Sequence, residues 1–117
     1  MRVLVSLLLV GHGIVHGEMW ALPYSAEARA DLPMDPSHSW LLGDLRAPGL
    51  ILALATTASF LVAAGAYLAD AGWWPVAAIT ATALSLLLLG LFFSPWWLVG
   101  FAIDAAILVA ARRALTT

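Results

Sequence analysis

The sequence predicts an all-α fold: an integral membrane four-helix bundle with both termini inside (N-in/C-in) and one long outer loop between helices 1 and 2. Three observations lead there. The chain is 63% hydrophobic and only 10% charged, whereas a soluble domain is about half apolar and a quarter charged. Its 117 residues make one domain, too small to hide that much apolar surface in its own core. The apolar residues also fall into four runs close to the roughly 20 residues that a bilayer demands.

The first run covers residues 3–22. Arg2, the apolar stretch that follows and the Ala28-Arg29-Ala30 triplet imitate a secretory signal with a cleavage site. We read the segment as a membrane span. The second run covers 47–69, the third 73–93 and the fourth 95–114, so that residues 1–117 form a single transmembrane domain. Asp70-Ala71-Gly72 separates the second and third. Ser94-Pro95 separates the third and fourth, with Ser94 as N-cap and Pro95 as first helical residue. Connections this tight make the last three helices sequential antiparallel neighbours.

The outer loop, 23–46, holds Pro23, Pro33, Pro36, His38 and most of the charges. Residues 33–37 read as turns. Residues 37–45 are expected to form a short interfacial helix, with Trp40, Leu41 and Leu42 dipping toward lipid. Trp20, Trp40, Trp73, Trp74, Trp96 and Trp97 all fall near span ends, where an aromatic belt belongs. Arg2, Arg112 and Arg113 flank the termini, against Arg29 and Arg46 in the loop. The positive-inside rule therefore puts both termini in the cytoplasm of a multi-pass inner (plasma) membrane protein, and the composition suits a bacterial source.

Composition also excludes functions. The net charge of −2 leaves nothing basic to track phosphates, so nucleic acid is not an expected partner. The absence of cysteine excludes disulfides, thiol redox chemistry and thiolate metal sites. Gly13-x-x-x-Gly17 permits close helix approach. Thr56, Thr57, Ser59, Thr80, Thr82 and Ser85 read as packing glue between helices.

The functional information lies in four ionisable residues inside the predicted spans: His12, His16, Glu18 and Asp104. Each costs roughly 2.5–3.5 kcal/mol or more at a helix centre. His12 lies nine residues from Val3 and Asp104 nine from Pro95. At 1.5 Å per residue both are about 13–14 Å along their helices, near the midplane. If the first and last helices touch, His12 and Asp104 meet. His12 and His16 share a face with Val5, Leu9 and Met19, and Asp104 shares one with Trp97, Gly100, Phe101 and Leu108. Gly100 would leave room for an imidazole. Glu18 points away from the histidines, toward water, Arg46 or Arg29.

A mid-bilayer carboxylate needs a donor, and a histidine supplies one. Such a pair serves as an acid/base device, a proton relay or a ligand clamp, or simply fixes helix register. A His pair at i, i+4 with one carboxylate is also a conceivable zinc or iron ligand set. No second metal-binding helix motif accompanies it, and neither metal nor cofactor is assigned. Two histidines on one face cannot be opposite axial ligands of one haem. Asp44 and Arg46 read either as a helix start or as a polar rim, with Glu18 and His38, orienting an amphiphile's head. Glu27, Asp31, Asp35 and Asp70 read as solvated loop charges.

The stretch Leu7-Leu8-Leu9-Val10-Gly11-His12-Gly13-Ile14-Val15-His16 resembles the first helix of DoxX-like small membrane proteins. That resemblance implies a four-helix bundle with a redox or quinone-linked accessory role. Leu91-Phe92-Phe93-Ser94-Pro95-Trp96-Trp97-Leu98-Val99-Gly100 resembles the Ser-Pro-Trp element of SPW-repeat membrane proteins. Glu18 imitates the single glutamate of small multidrug transporters, but the long first loop and the histidines are foreign to that plan.

Three functions compete. The first is an outward-opening site for a small lipophilic molecule, quinone- or isoprenoid-like. His12, His16 and Asp104 would be its polar groups and, in an enzyme, its catalytic ones, and Trp20, Trp97 and Phe101 would shape it. As an enzyme it would perform acid/base isomerisation, cyclisation or epoxide opening. The second is a proton-coupled small transporter. The third is a structural or accessory subunit of a larger membrane complex. The expected partners are thus the bilayer, a lipophilic ligand, and either a second copy or a membrane complex.

Overall fold

A computed structural model describes residues 1–22, 25, 27 and 34–117. Four helices account for most of it: α1 (Arg2–Ala21), α2 (Arg46–Leu68), α3 (Trp74–Leu91) and α4 (Leu98–Thr116). A 3-10 turn, Pro95–Trp97, leads into α4. The first three helices are long and apolar enough to cross a bilayer, which makes the chain a membrane protein. Helix α4 is less apolar because it carries Asp104, Arg112 and Arg113. The molecule measures 46 × 22 × 21 Å, close to the full thickness of a bilayer with its head groups.

Helix α1 packs on α2, α2 on α3 and α3 on α4. Close approach of α1 to α2 depends on Gly13 and Gly17. A Cβ on Gly13 would stand 2.6 Å from Phe60 Cβ, and one on Gly17 would stand 2.9 Å from Thr57 Oγ1. The gap is stitched by Thr57 Oγ1, which donates to the Gly13 carbonyl (2.7 Å), and by Ser6 Oγ, which donates to the Ala64 carbonyl (3.2 Å). Such bonds hold helices together where no hydrophobic effect separates protein from solvent. Outward faces carry Leu7, Leu8, Ile51, Val76 and Val99, all exposed.

The sequence expectation for residues 37–45 is overturned. They form not an interfacial helix but an antiparallel hairpin, β1 (His38–Ser39) against β2 (Gly43–Asp44). Gly43 supplies the positive φ of +80° that closes the three-residue turn. Ser39 Oγ accepts from the Leu41 and Leu42 amides and donates to the Leu91 carbonyl at 2.6 Å. A serine that bonds the backbone this way competes against helix.

The hairpin thereby caps α3. Trp40 Nε1 donates to the Gly90 carbonyl (2.7 Å) and Trp97 Nε1 to the Phe92 carbonyl (3.0 Å), on either side of the Leu91 bond. Three consecutive carbonyls at a helix end are thus satisfied by side chains. Arg46 does the same for α1, its Nη1 donating to the Trp20 carbonyl (2.6 Å). Ser94 acts as the expected N-cap, accepting from the Trp96 amide, with Pro95 in the first turn. At the opposite end Asp70 is exposed, as expected of a loop charge, and its Oδ1 pairs with Arg2 Nη2 at 2.6 Å.

Candidate functional site

Side chains join helices α1 and α4. His12 Nε2 lies 2.8 Å from Asp104 Oδ1, across 92 residues of chain. The depth count made on the sequence leads to this pair. Asp104 is fully buried and the His12 side chain is 8% exposed.

The pair belongs to a larger network. Ser85 Oγ donates to Asp104 Oδ2 at 2.6 Å and lies 2.8 Å from His16 Nε2. His12, Asp104, Ser85 and His16 therefore form one chain of hydrogen bonds. It closes on itself sterically, since the His12 and His16 rings meet edge to face with centroids 4.8 Å apart. Phe60 backs both rings, at 5.0 Å from His12 and 6.2 Å from His16.

Proton bookkeeping follows from the donors available. Ser85 has one hydroxyl hydrogen. Spent on Asp104, it obliges His16 Nε2 to donate to the serine oxygen. As a carboxylate, Asp104 receives hydrogens at both oxygens, from His12 and from Ser85. A buried carboxylate satisfied on both sides avoids the cost of an orphaned polar group.

A groove of about 700 Å³ runs beside this network, between α1 and α4. Val5, Leu8, His12 and Val15 line one wall, and Trp97, Val99, Ile103 and Ile107 line the other. His16 also reaches it. The groove follows the helices along the flank of the bundle instead of opening at the outer end alone.

Several expected roles change. Trp20 is fully buried and does not border the groove; it stacks on Trp97 at 5.6 Å and meets Phe92 edge to face. It is therefore a core residue, not part of an interfacial belt. Trp74, at the start of α3, packs edge to face on Tyr67. Phe101 lies against the same core beside Phe93, also outside the groove. Gly100 does line the groove, but the space over it belongs to Leu89 Cδ1, 3.0 Å from where a Cβ would sit, and not to an imidazole.

Glu18 is exposed and has no ion pair with Arg46, whose guanidinium caps α1. Arg29, the other expected partner, and Asp31 lie outside the described residues. Asp44 is exposed in β2 and makes no helix cap, so Asp44 and Arg46 do not rim the groove. Among the described residues no cluster of His, Asp and Glu is arranged to hold a metal ion.

Ser85 is the residue that sequence reasoning missed, being assigned to packing glue. A signal was present. Ser85 lies six residues before the end of α3 at Leu91, and Asp104 six residues after the start of α4 at Leu98. Two antiparallel helices joined by a short turn place those positions at equal depth. No family model, no curated protein and no solved structure matches this chain.

Proposed function

We propose that this protein is a four-span membrane protein, N-in and C-in in a plasma membrane, that binds a small lipophilic molecule in the groove between its first and last helices. The groove beside His12 carries the reading. It is apolar except for two imidazoles, and one of these is held by a fully buried carboxylate. An apolar cleft with a few convergent polar groups is the usual form of a small-molecule site. Arg2, Arg112 and Arg113 on the terminal side support the orientation.

His12 is the group that would meet the ligand, and Asp104 positions it. A carboxylate on one ring nitrogen fixes the tautomer and leaves the other nitrogen available for proton exchange. The arrangement suits acid/base chemistry on a quinone- or isoprenoid-like molecule. The resemblance of the first helix to DoxX-like proteins agrees with a lipid-soluble ligand.

A second reading rests on the closure of the network. As the polar link between α1 and α4, His12–Asp104–Ser85–His16 could serve only as a clamp in a structural or accessory subunit. Purification from native membranes, with mass spectrometry of bound lipids, separates the two. The expected result is a discrete lipophilic species, present in the wild type and lost from folded His12→Ala. Folded His12→Ala or Asp104→Asn protein that retains the species would refute the site.

A further inference from the structure

The geometry points to a ligand that donates a hydrogen bond, a lipid-soluble alcohol or phenol rather than a ketone, ether or charged lipid, with its hydroxyl received by His12 Nδ1. This rests on the lipophilic-site reading above and narrows its ligand to the hydroxyl-bearing forms, an isoprenoid alcohol or a quinol and not a quinone.

The first step is a count of hydrogens. As a carboxylate, Asp104 accepts from Ser85 at Oδ2 and has no hydrogen to offer His12 from Oδ1. His12 Nε2 must therefore be the donor across the 2.8 Å contact. Reversing the serine, so that Asp104 carries a proton on Oδ2 and Ser85 donates to His16, leaves Oδ1 still an acceptor. In both arrangements a neutral His12 bears its hydrogen on Nε2 and presents a bare, accepting Nδ1; only a proton on Asp104 Oδ1 would reverse this, and the ring tautomer reports it directly. Ser85 and Asp104 thus set the polarity of the groove through His12.

The second step is access. Among the described residues, the polar side-chain atoms fully enclosed without a partner are Trp20 Nε1, Ser37 Oγ and Thr82 Oγ1. His12 Nδ1 is not among them, and it has no hydrogen-bond partner among the described residues. His12 lines the groove, and the proposed hydroxyl would reach its unclaimed nitrogen from there.

The third step is depth. His12 lies ten residues along α1 from Arg2, about 15 Å at 1.5 Å per residue. A phospholipid or fatty-acid head group stays at the interface and does not descend that far, because moving charge into hydrocarbon is costly. A neutral hydroxyl on an apolar body descends readily. In hydrocarbon it has no competing water, so a lone acceptor selects it over an ether or a carbonyl, each of which would face His12 Nδ1 lone pair to lone pair.

The test uses the full chain in lipid nanodiscs and three matched probes: farnesol, farnesyl methyl ether and farnesal. With ¹⁵N-labelled histidine, the ring shifts are expected to report hydrogen on His12 Nε2 and none on Nδ1. Farnesol is expected to shift the Nδ1 signal and to bind at least about fivefold tighter than the ether or aldehyde, one neutral hydrogen bond's worth. His12→Phe, which keeps the groove apolar, is expected to abolish that preference. Equal affinities for the three probes, or a hydrogen on wild-type Nδ1, would overturn the inference while sparing the lipophilic site. Failure of all three to bind would overturn both. The wild-type spectra decide the tautomer even if His12→Phe does not fold.

Discussion

Replacing Gly13 with alanine tests the packing that brings His12 to Asp104. The new Cβ would sit 2.6 Å from Phe60 Cβ and 3.4 Å from the Thr57 carbonyl oxygen. Carbon atoms in contact keep about 3.5–4.0 Å, so α1 must retreat by about 1 Å. Overpacking of that kind costs about 1–3 kcal/mol. Retreat also stretches the 2.7 Å bond from Thr57 Oγ1 to the Gly13 carbonyl, worth about 0.6 kcal/mol in a membrane. Gly11, two residues away on the same helix, is the control, since nothing lies within 4 Å of its would-be Cβ. Helix propensity favours alanine by about 1 kcal/mol at both sites and cancels in the comparison. Gly13→Ala is therefore expected to be about 1.5–3.5 kcal/mol less stable than Gly11→Ala. Far-UV circular dichroism during unfolding by rising SDS fraction in mixed micelles measures the difference. If the two variants agree within about 0.5 kcal/mol, the ordinary scatter of exposed substitutions, the close α1–α2 contact is not as described.

Two further perturbations probe the ends of the bundle. Ser39→Ala removes the acceptor of the Leu41 and Leu42 amides and the donor to the Leu91 carbonyl; loss of exchange protection at those amides is expected, with α3 itself intact, and unchanged protection would contradict the capping role. Arg2→Ala breaks a pair whose side chains are 50% and 69% exposed; the expected loss is at most about 0.5 kcal/mol and vanishes in high salt, so a larger, salt-independent loss in the same unfolding assay would mean that the pair is not solvent-screened.

The parts of this structure that were legible in the sequence are those governed by local rules. Helix lengths follow from apolar runs, and the α4 entry follows from Ser94-Pro95. The His12–Asp104 pair was legible because cost confines ionisable residues and simple counting fixes depth. Ser85 was not legible in the same way: a serine in a membrane helix costs little, so nothing marks it out until its neighbour is known. The hairpin was missed because Trp40-Leu41-Leu42 reads as an amphipathic surface, whereas its conformation is set by Gly43 and by carbonyls of a helix some fifty residues further on. Trp20 looked like a belt residue from its position near a helix end, but Phe92 and Trp97 close over it. The absence of a groove at Trp20 and Phe101 likewise depends on helix rotation, which sequence spacing alone leaves open.

The bridge between His12 and Asp104 joins the earliest part of the chain to the latest. During synthesis the first three helices are made before the carboxylate exists, and until then His12 and Ser85 have no acid to bind. A product truncated ahead of α4 would hold two imidazoles and a hydroxyl against hydrocarbon. Helix α4 thus does more than pack on α3: it carries the one carboxylate that these groups meet among the described residues.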